Sequence, residues 1–220
     1  VDNKHNLPNQ IRYLLFDLDG TLLDSRKFLV DASYRTLEKY YPGMCTYETI
    51  VEQFGMGFNK MLSEFNLKEY EPAKNEFYQI KLEAYHEQSP PFPGVMEGLQ
   101  ALQDAGYKLG VVTNQQKEVV ANALAAYGMD RFFAAIIALE DVEQGKPSPE
   151  GTLKALQLLG GEQSAAALIG DSKYDVFAAQ RAGIAAGLLT WYDDIDAAAS
   201  KPDLVWSNFG QLLDTFKVGA

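Results

Sequence analysis

The chain has 220 residues, 47% of them apolar, with a formal net charge of -11; this allows one domain or a domain with a modest insertion and excludes global disorder. The acidic balance argues against nucleic acid or an anionic membrane as a partner, since both need clustered lysine and arginine, and a phosphate ligand would need local cations to reverse the field. The single cysteine, Cys45, excludes an internal disulfide framework and fits a reducing compartment.

Val1 to Gln10 is polar, lacks the apolar core of a secretory signal and reads as a loose leader. No apolar run reaches the length of a membrane span, so a soluble, cytoplasmic protein is expected. Ile11 to Phe16 is an apolar run that predicts a buried strand. It ends in Asp17-Leu18-Asp19-Gly20-Thr21. Unpaired buried carboxylates are very costly, so Asp17 and Asp19 belong just past the strand's carboxyl end, where an open α/β sheet places its ligand crevice. Alternate residues of an extended chain point the same way, and Gly20 permits the tight turn that follows.

From Arg26 to Gln88 the pattern is helical, with no strand signature. One helix ends at Pro42-Gly43, and Tyr47 to Phe54, Asn59 to Phe65 and Pro72 to His86 predict three more. Gly55-Met56-Gly57 joins two of them. Ser89 to Gly94 is a proline-rich return linker. Strand and helix then alternate. Strands are expected at Tyr107 to Thr113, Phe133 to Leu139, Ala165 to Gly170, Ile184 to Thr190 and Leu204 to Trp206. Helices are expected at Val95 to Ala105, Lys117 to Tyr127, Pro149 to Leu159, Lys173 to Ala182 and Asn208 to Phe216. Such alternation implies a parallel sheet covered on both faces. The expected organisation is a leader at 1–10, an α/β core at 11–25 and 89–220, and a helical cap at 26–88.

Three further strand ends or loops carry chemistry. Thr113 and the backbone N–H of Asn114 could donate to a phosphoryl oxygen, although such a pair is also an ordinary helix cap. Lys146 lies in Gly145-Lys146-Pro147-Ser148-Pro149, where two prolines stiffen the loop and fix its direction. Asp171 and Asp175 follow the apolar run Leu168-Ile169-Gly170. Hard oxygen ligands at a strand end suit Mg²⁺, while an acidic first helical turn also simply favours the helix dipole.

Taken together, Asp-x-Asp-Gly-Thr at 17–21, Thr113 after its strand, Gly-Lys-Pro-x-Pro at 145–149 and Gly-Asp-x-x-x-Asp at 170–175 resemble the four motifs of the haloacid dehalogenase superfamily. They occur in its order, and the nearest likeness is to its phosphoglycolate phosphatase and β-phosphoglucomutase group. The resemblance implies a doubly wound, Rossmann-like parallel-sheet core with an inserted all-helical cap. It implies a Mg²⁺-dependent phosphatase acting on a small phosphorylated metabolite, as monomer or homodimer. Asp17 would be the nucleophile, Asp19 the acid and base, and Lys146 the neutralising cation. Asp17, Asp171 and the backbone carbonyl of Asp19 would hold Mg²⁺. Leu18, Asp19, Thr113, Asn114 and Lys146 would hold the phosphoryl group, and Asp175 would act through water or by orienting Lys146. Gly55, Met56, Gly57, Asn59 and Lys60 are the expected substrate-facing loop. Lys60 pairing with a carboxylate favours phosphoglycolate. The alternatives are a phosphosugar mutase, a phosphonate hydrolase with Lys60 as its Schiff-base amine, and a binding protein on the same fold.

Overall fold

The structure, a computed structural model, describes residues 10–65, 67, 70–192 and 200–218; the expected leader, bar Gln10, lies outside them. Strand β1 is Tyr13–Phe16. Helices α1 (Arg26–Tyr40), α2 (Tyr47–Glu52), α3 (Phe58–Glu64) and α4 (Glu71–Gln88) follow. Then come α5 (Val95–Asp104), β2 (Lys108–Val112), α6 (Lys117–Ala126) and β3 (Phe133–Ile137). The chain continues through α7 (Glu150–Leu159), β4 (Ala166–Gly170), α8 (Lys173–Ala182) and β5 (Ala185–Leu189). It closes with β6 (Leu204–Trp206) and α9 (Phe209–Thr215).

The strands form one parallel sheet in the order β3-β2-β1-β4-β5-β6. Side chains alternate across it. Leu14 and Phe16 enter the layer that holds Leu99, Val120 and Phe209, while Leu15 enters the layer of Leu156, Leu159 and Ala179. Phe16 stacks on Phe209 with ring centroids 6.0 Å apart; burying one such side chain contributes about 1.5–3 kcal/mol. With both faces covered, the free place for polar groups is the sheet's edge of strand ends. Phe16 is in register with Val111 on one side and Ile169 on the other, so the loops leaving β1, β2 and β4 emerge together. The order reverses at β1, which is where a crevice opens in such sheets.

Helices α1 to α4 add no strand to the sheet. They are tied to it by two adjacent chain segments. Leu23 bridges Pro91 in antiparallel fashion, the Asp24 amide donates to the Pro90 carbonyl at 2.8 Å, and that of Phe92 to Leu22 at 3.0 Å. Inside this helical unit Phe58 packs on Phe77 with centroids 4.1 Å apart. Among the described residues no helix is long and apolar enough to cross a membrane. The third expected strand stops at Ile137, and Leu139–Asp141 is instead a single 3-10 turn. The Asp141 carboxylate accepts from the Ala138 amide at 3.0 Å, a local bond that competes with continuation of the ladder.

Candidate active site

The Asp17 amide still bonds the Ile169 carbonyl of β4, at 2.8 Å, so its side chain leaves from a fixed strand end. Carboxylate oxygens of Asp17, Asp171 and Asp175 all lie within 4.8 Å of one another. Lys146 Nζ stands 2.6 Å from Asp17 Oδ1 and 2.6 Å from Asp175 Oδ1. All four groups are buried. Two backbone positions permit this crowding. Gly20 has φ +75, and a Cβ on it would fall 2.2 Å from Asp171 Oδ2; a Cβ on Gly170 would fall 2.1 Å from Asp175 Cγ.

Three carboxylates therefore share one ammonium. Burial pushes the Asp17 carboxyl up to about 7 against the pull of Lys146, with Asp175 and Asp19 adding repulsion. Burial, with repulsion from Asp175 and Asp17, pushes Asp171 well above the usual carboxylate range. Burial works against the Lys146 charge, yet Asp17 and Asp175 hold its pKa above the ordinary lysine value. A dry cluster with surplus oxygen charge fits a hard divalent cation. Asp175 is the least available donor. Its Oδ1 takes Lys146, and its Oδ2 accepts from Ser172 Oγ at 2.6 Å and from the Ser172 amide at 3.1 Å. Asp171 accepts only a long bond from Thr21 Oγ1, 3.4 Å, among the side-chain bonds of the described residues.

Asp19 faces the helical unit. Its Oδ1 accepts from Ser25 Oγ at 2.7 Å and from the Tyr85 hydroxyl at 2.5 Å, and its Oδ2 accepts from Gln115 Nε2 at 3.1 Å. Gln115 Oε1 in turn accepts from Lys81 Nζ at 2.6 Å, and Gln116 Oε1 accepts from the same ammonium. Lys81 also lies over the Phe77 ring, 4.6 Å from its centroid. Burial pushes its pKa down to about 7, with only partial compensation from Asp19 and Glu140.

A cavity of about 690 Å³, open mouth included, lies between these groups and the helices above them. Its helical wall is mostly apolar, with Leu29, Val30, Ile50, Phe58 and Phe77, and is punctuated by Gln53, Asn59 and Lys81. The side-chain oxygens of Gln53 and Asn59 are buried without a donor among the described residues.

The residues expected from the sequence divide into two groups. Asp17, Asp19, Thr113, Asn114 and Lys146 all line the cavity. Leu18 is buried, and its carbonyl accepts from the amides of Thr21, Leu22 and Leu23. The Thr113 hydroxyl accepts from the Gln115 amide at 3.1 Å. The Asn114 side chain has a different task from the one its neighbour suggests. It donates to the carbonyls of Gly55, Met56 and Lys146 and accepts from the Lys146 amide at 2.7 Å. It thus ties the lysine loop to the helical unit, which leaves its backbone N–H as the candidate phosphoryl donor. Gly55, Gly57 and Asn59 line the cavity, whereas Met56 and Lys60 do not. Met56 is buried in the apolar interior. Lys60 is exposed because α3 turns Phe58, Met61 and Leu62 inward, and position 60 falls on the opposite face.

Ser25, Lys81, Tyr85, Gln115 and Gln116 are the polar groups that sequence reasoning missed. One signal was available for two of them. Ala73, Phe77, Lys81 and Tyr85 are the buried residues of α4, spaced four apart, and a lysine within such a stripe is out of place on an ordinary core face.

The family model for haloacid dehalogenase-like hydrolases matches residues 14–188. The chain belongs to this family. It is accordingly an enzyme, a hydrolase whose first motif has the phosphatase form. It is 31% identical over 93% of its length to pyrophosphatase PpaX of Bacillus cereus, covering 95% of that protein. Among solved structures, a predicted phosphoglycolate phosphatase of Haemophilus somnus is 28% identical, with 93% of this chain and 97% of that one aligned at a TM-score of 0.76. A hydrolase of Pseudomonas syringae is 25% identical and aligns over 93% of this chain and 97% of that one, at a TM-score of 0.81.

Proposed function

We propose that the chain is a Mg²⁺-dependent phosphatase that hydrolyses a small phosphate ester through an aspartyl-phosphate on Asp17. The observation that carries this reading is Lys146 held 2.6 Å from both Asp17 and Asp175 beside Asp171, an arrangement too rich in buried negative charge to serve stability alone. Asp17 Oδ attacks phosphorus in line, the bond from phosphorus to the ester oxygen breaks, and the leaving alkoxide takes a proton from Asp19. Water then attacks the acyl phosphate, Asp19 takes its proton, and phosphate leaves with Asp17 restored. Ser25, Tyr85 and Gln115 fix the Asp19 carboxyl on the leaving-group side. Thr113 and the backbone N–H of Asn114 receive the phosphoryl oxygens. Asp17, Asp171 and the Asp19 carbonyl would hold Mg²⁺, which offsets the charge of carboxylates and phosphate together. Asp175 orients Lys146.

Phosphoglycolate is our preferred substrate type; the likeness to a predicted phosphoglycolate phosphatase supports it, whereas Lys60, exposed and outside the cavity, does not. Pyrophosphate is the second reading, favoured by the relatives called pyrophosphatase PpaX. A phosphosugar mutase is less well supported, because among the described residues the helical wall offers one lysine for a second phosphate of a bisphosphate intermediate. The exposed position of Lys60 takes the amine expected for a phosphonate hydrolase out of the cavity.

The test is turnover of p-nitrophenyl phosphate with Mg²⁺ and with EDTA. Turnover should require Mg²⁺, and Asp17→Asn should lower it by at least ~10³-fold. Equal rates in EDTA, or an active Asp17→Asn protein, would overturn the mechanism.

A further inference from the structure

Lys81 is a buried cation that the chemistry at phosphorus leaves unused. It is 4% exposed, yet it lines the cavity. Its partners are two neutral amide oxygens and a ring face. Among the described residues no carboxylate pairs with it, in contrast to Lys146, which has two. A buried charge without a counter-ion is costly, and nothing in the packing demands it, since Phe77 and Ala73 fill equivalent positions of the same helix stripe. The other polar groups of the helical wall, Ser33, Gln53 and Asn59, carry no charge.

We propose that Lys81 is the specificity residue of this enzyme, the counter-ion for a second anionic group carried by the leaving portion of the substrate. This rests on the phosphatase reading and names the substrate class within it. Geometry limits the size of that substrate. Gln115 alone separates Lys81 Nζ from Asp19, through bonds of 2.6 and 3.1 Å, so the ammonium stands no more than about 8 Å from the acid's oxygen across one amide. The second anion must therefore follow the scissile bond within a few atoms. A short phosphorylated hydroxy acid meets that requirement, and so does pyrophosphate. A phosphate ester with an uncharged alkyl group does not, and a long phosphorylated chain would have to fold back on itself to bring a distal charge into so short a span. The apolar wall around Lys81 strengthens the pairing, because the charges meet away from bulk water. The same amide links the anchor to the acid, so an anion drawn onto Lys81 also bears on the group that orients Asp19.

The experiment compares kcat and KM for 2-phosphoglycolate, pyrophosphate and ethyl phosphate, in the wild type and in Lys81→Met and Lys81→Arg. The wild type should prefer one of the two substrates that carry a second anionic group over ethyl phosphate by about 10–100-fold in kcat/KM. In Lys81→Met that preference should collapse by at least about tenfold, chiefly through KM, and Lys81→Arg should retain part of it. Whichever of 2-phosphoglycolate and pyrophosphate loses more identifies the source of the anion. A wild type that takes ethyl phosphate as readily as both others overturns the inference without any variant. So does a Lys81→Met protein that loses all substrates in proportion. Absence of turnover of every ester, p-nitrophenyl phosphate included, would instead overturn the phosphatase reading on which it rests.

Discussion

The two lysines that line the cavity are opposites. Lys146 comes from a loop at the sheet's edge, stands between two carboxylates and has its pKa held above the ordinary value by them, despite burial. Lys81 comes from the middle of a helix, meets only neutral oxygens and is pushed down to about 7 by burial. The first is one part of a cluster of three buried carboxylates; the second has no carboxylate paired with it among the described residues. The difference between the two is whether the protein itself supplies the counter-charge.

Removing the partner from the complete side should have the largest effect. Lys146→Met leaves Asp17, Asp171 and Asp175 facing one another. Turnover is expected to fall about 10²–10³-fold. Urea unfolding in EDTA should show a loss on the order of 3 kcal/mol, and a loss near zero would mean that Lys146 serves the reaction alone.

The seam between the two regions comes next. Tyr85 on α4 donates to Asp19 on the core, so Tyr85→Phe removes one of three donors to the acid. We expect kcat to fall about tenfold with little change in KM. An unchanged kcat would show that Ser25 and Gln115 suffice.

The smallest effect concerns the incomplete side and has a definite sign. Lys81 has a folded pKa of about 7 against an ordinary value of 10.5. Between those values the unfolded chain holds the extra proton, so stability rises with pH through that window. In urea titrations with EDTA at about pH 7 and pH 8, Lys81→Met should flatten the rise by on the order of 1 kcal/mol. A slope identical to that of the wild type would show that Lys81 keeps its proton at no cost.

The carboxylate cluster with Lys146 was legible residue by residue because each member lies within a few positions of a strand end or in a stiff loop. An apolar run that stops at Asp17, or at Gly170 before Asp171, declares its own geometry, since buried carboxylates cannot continue a strand. The helical wall was less legible. Lys60, beside two glycines, was the natural choice, but the inward turn of Phe58, Met61 and Leu62 leaves it outside. The expectation for Asn114 concerned its backbone N–H, which the structure leaves as the candidate donor; what the sequence did not show is that its side chain is spent on the carbonyls of Gly55, Met56 and Lys146.

By itself, then, the sequence determined the order of strands and helices and the chemistry at the strand ends, because periodicity and turn residues are local and each motif carries its own strand. Only the tertiary structure decided which lysine of the helical unit lines the cavity and which side chains hold Asp19. The Lys81 contacts join α4 to the β2 loop more than thirty residues away in sequence, Tyr85 and Gln115 reach Asp19 from farther still, and no local pattern encodes how elements that far apart are set against each other.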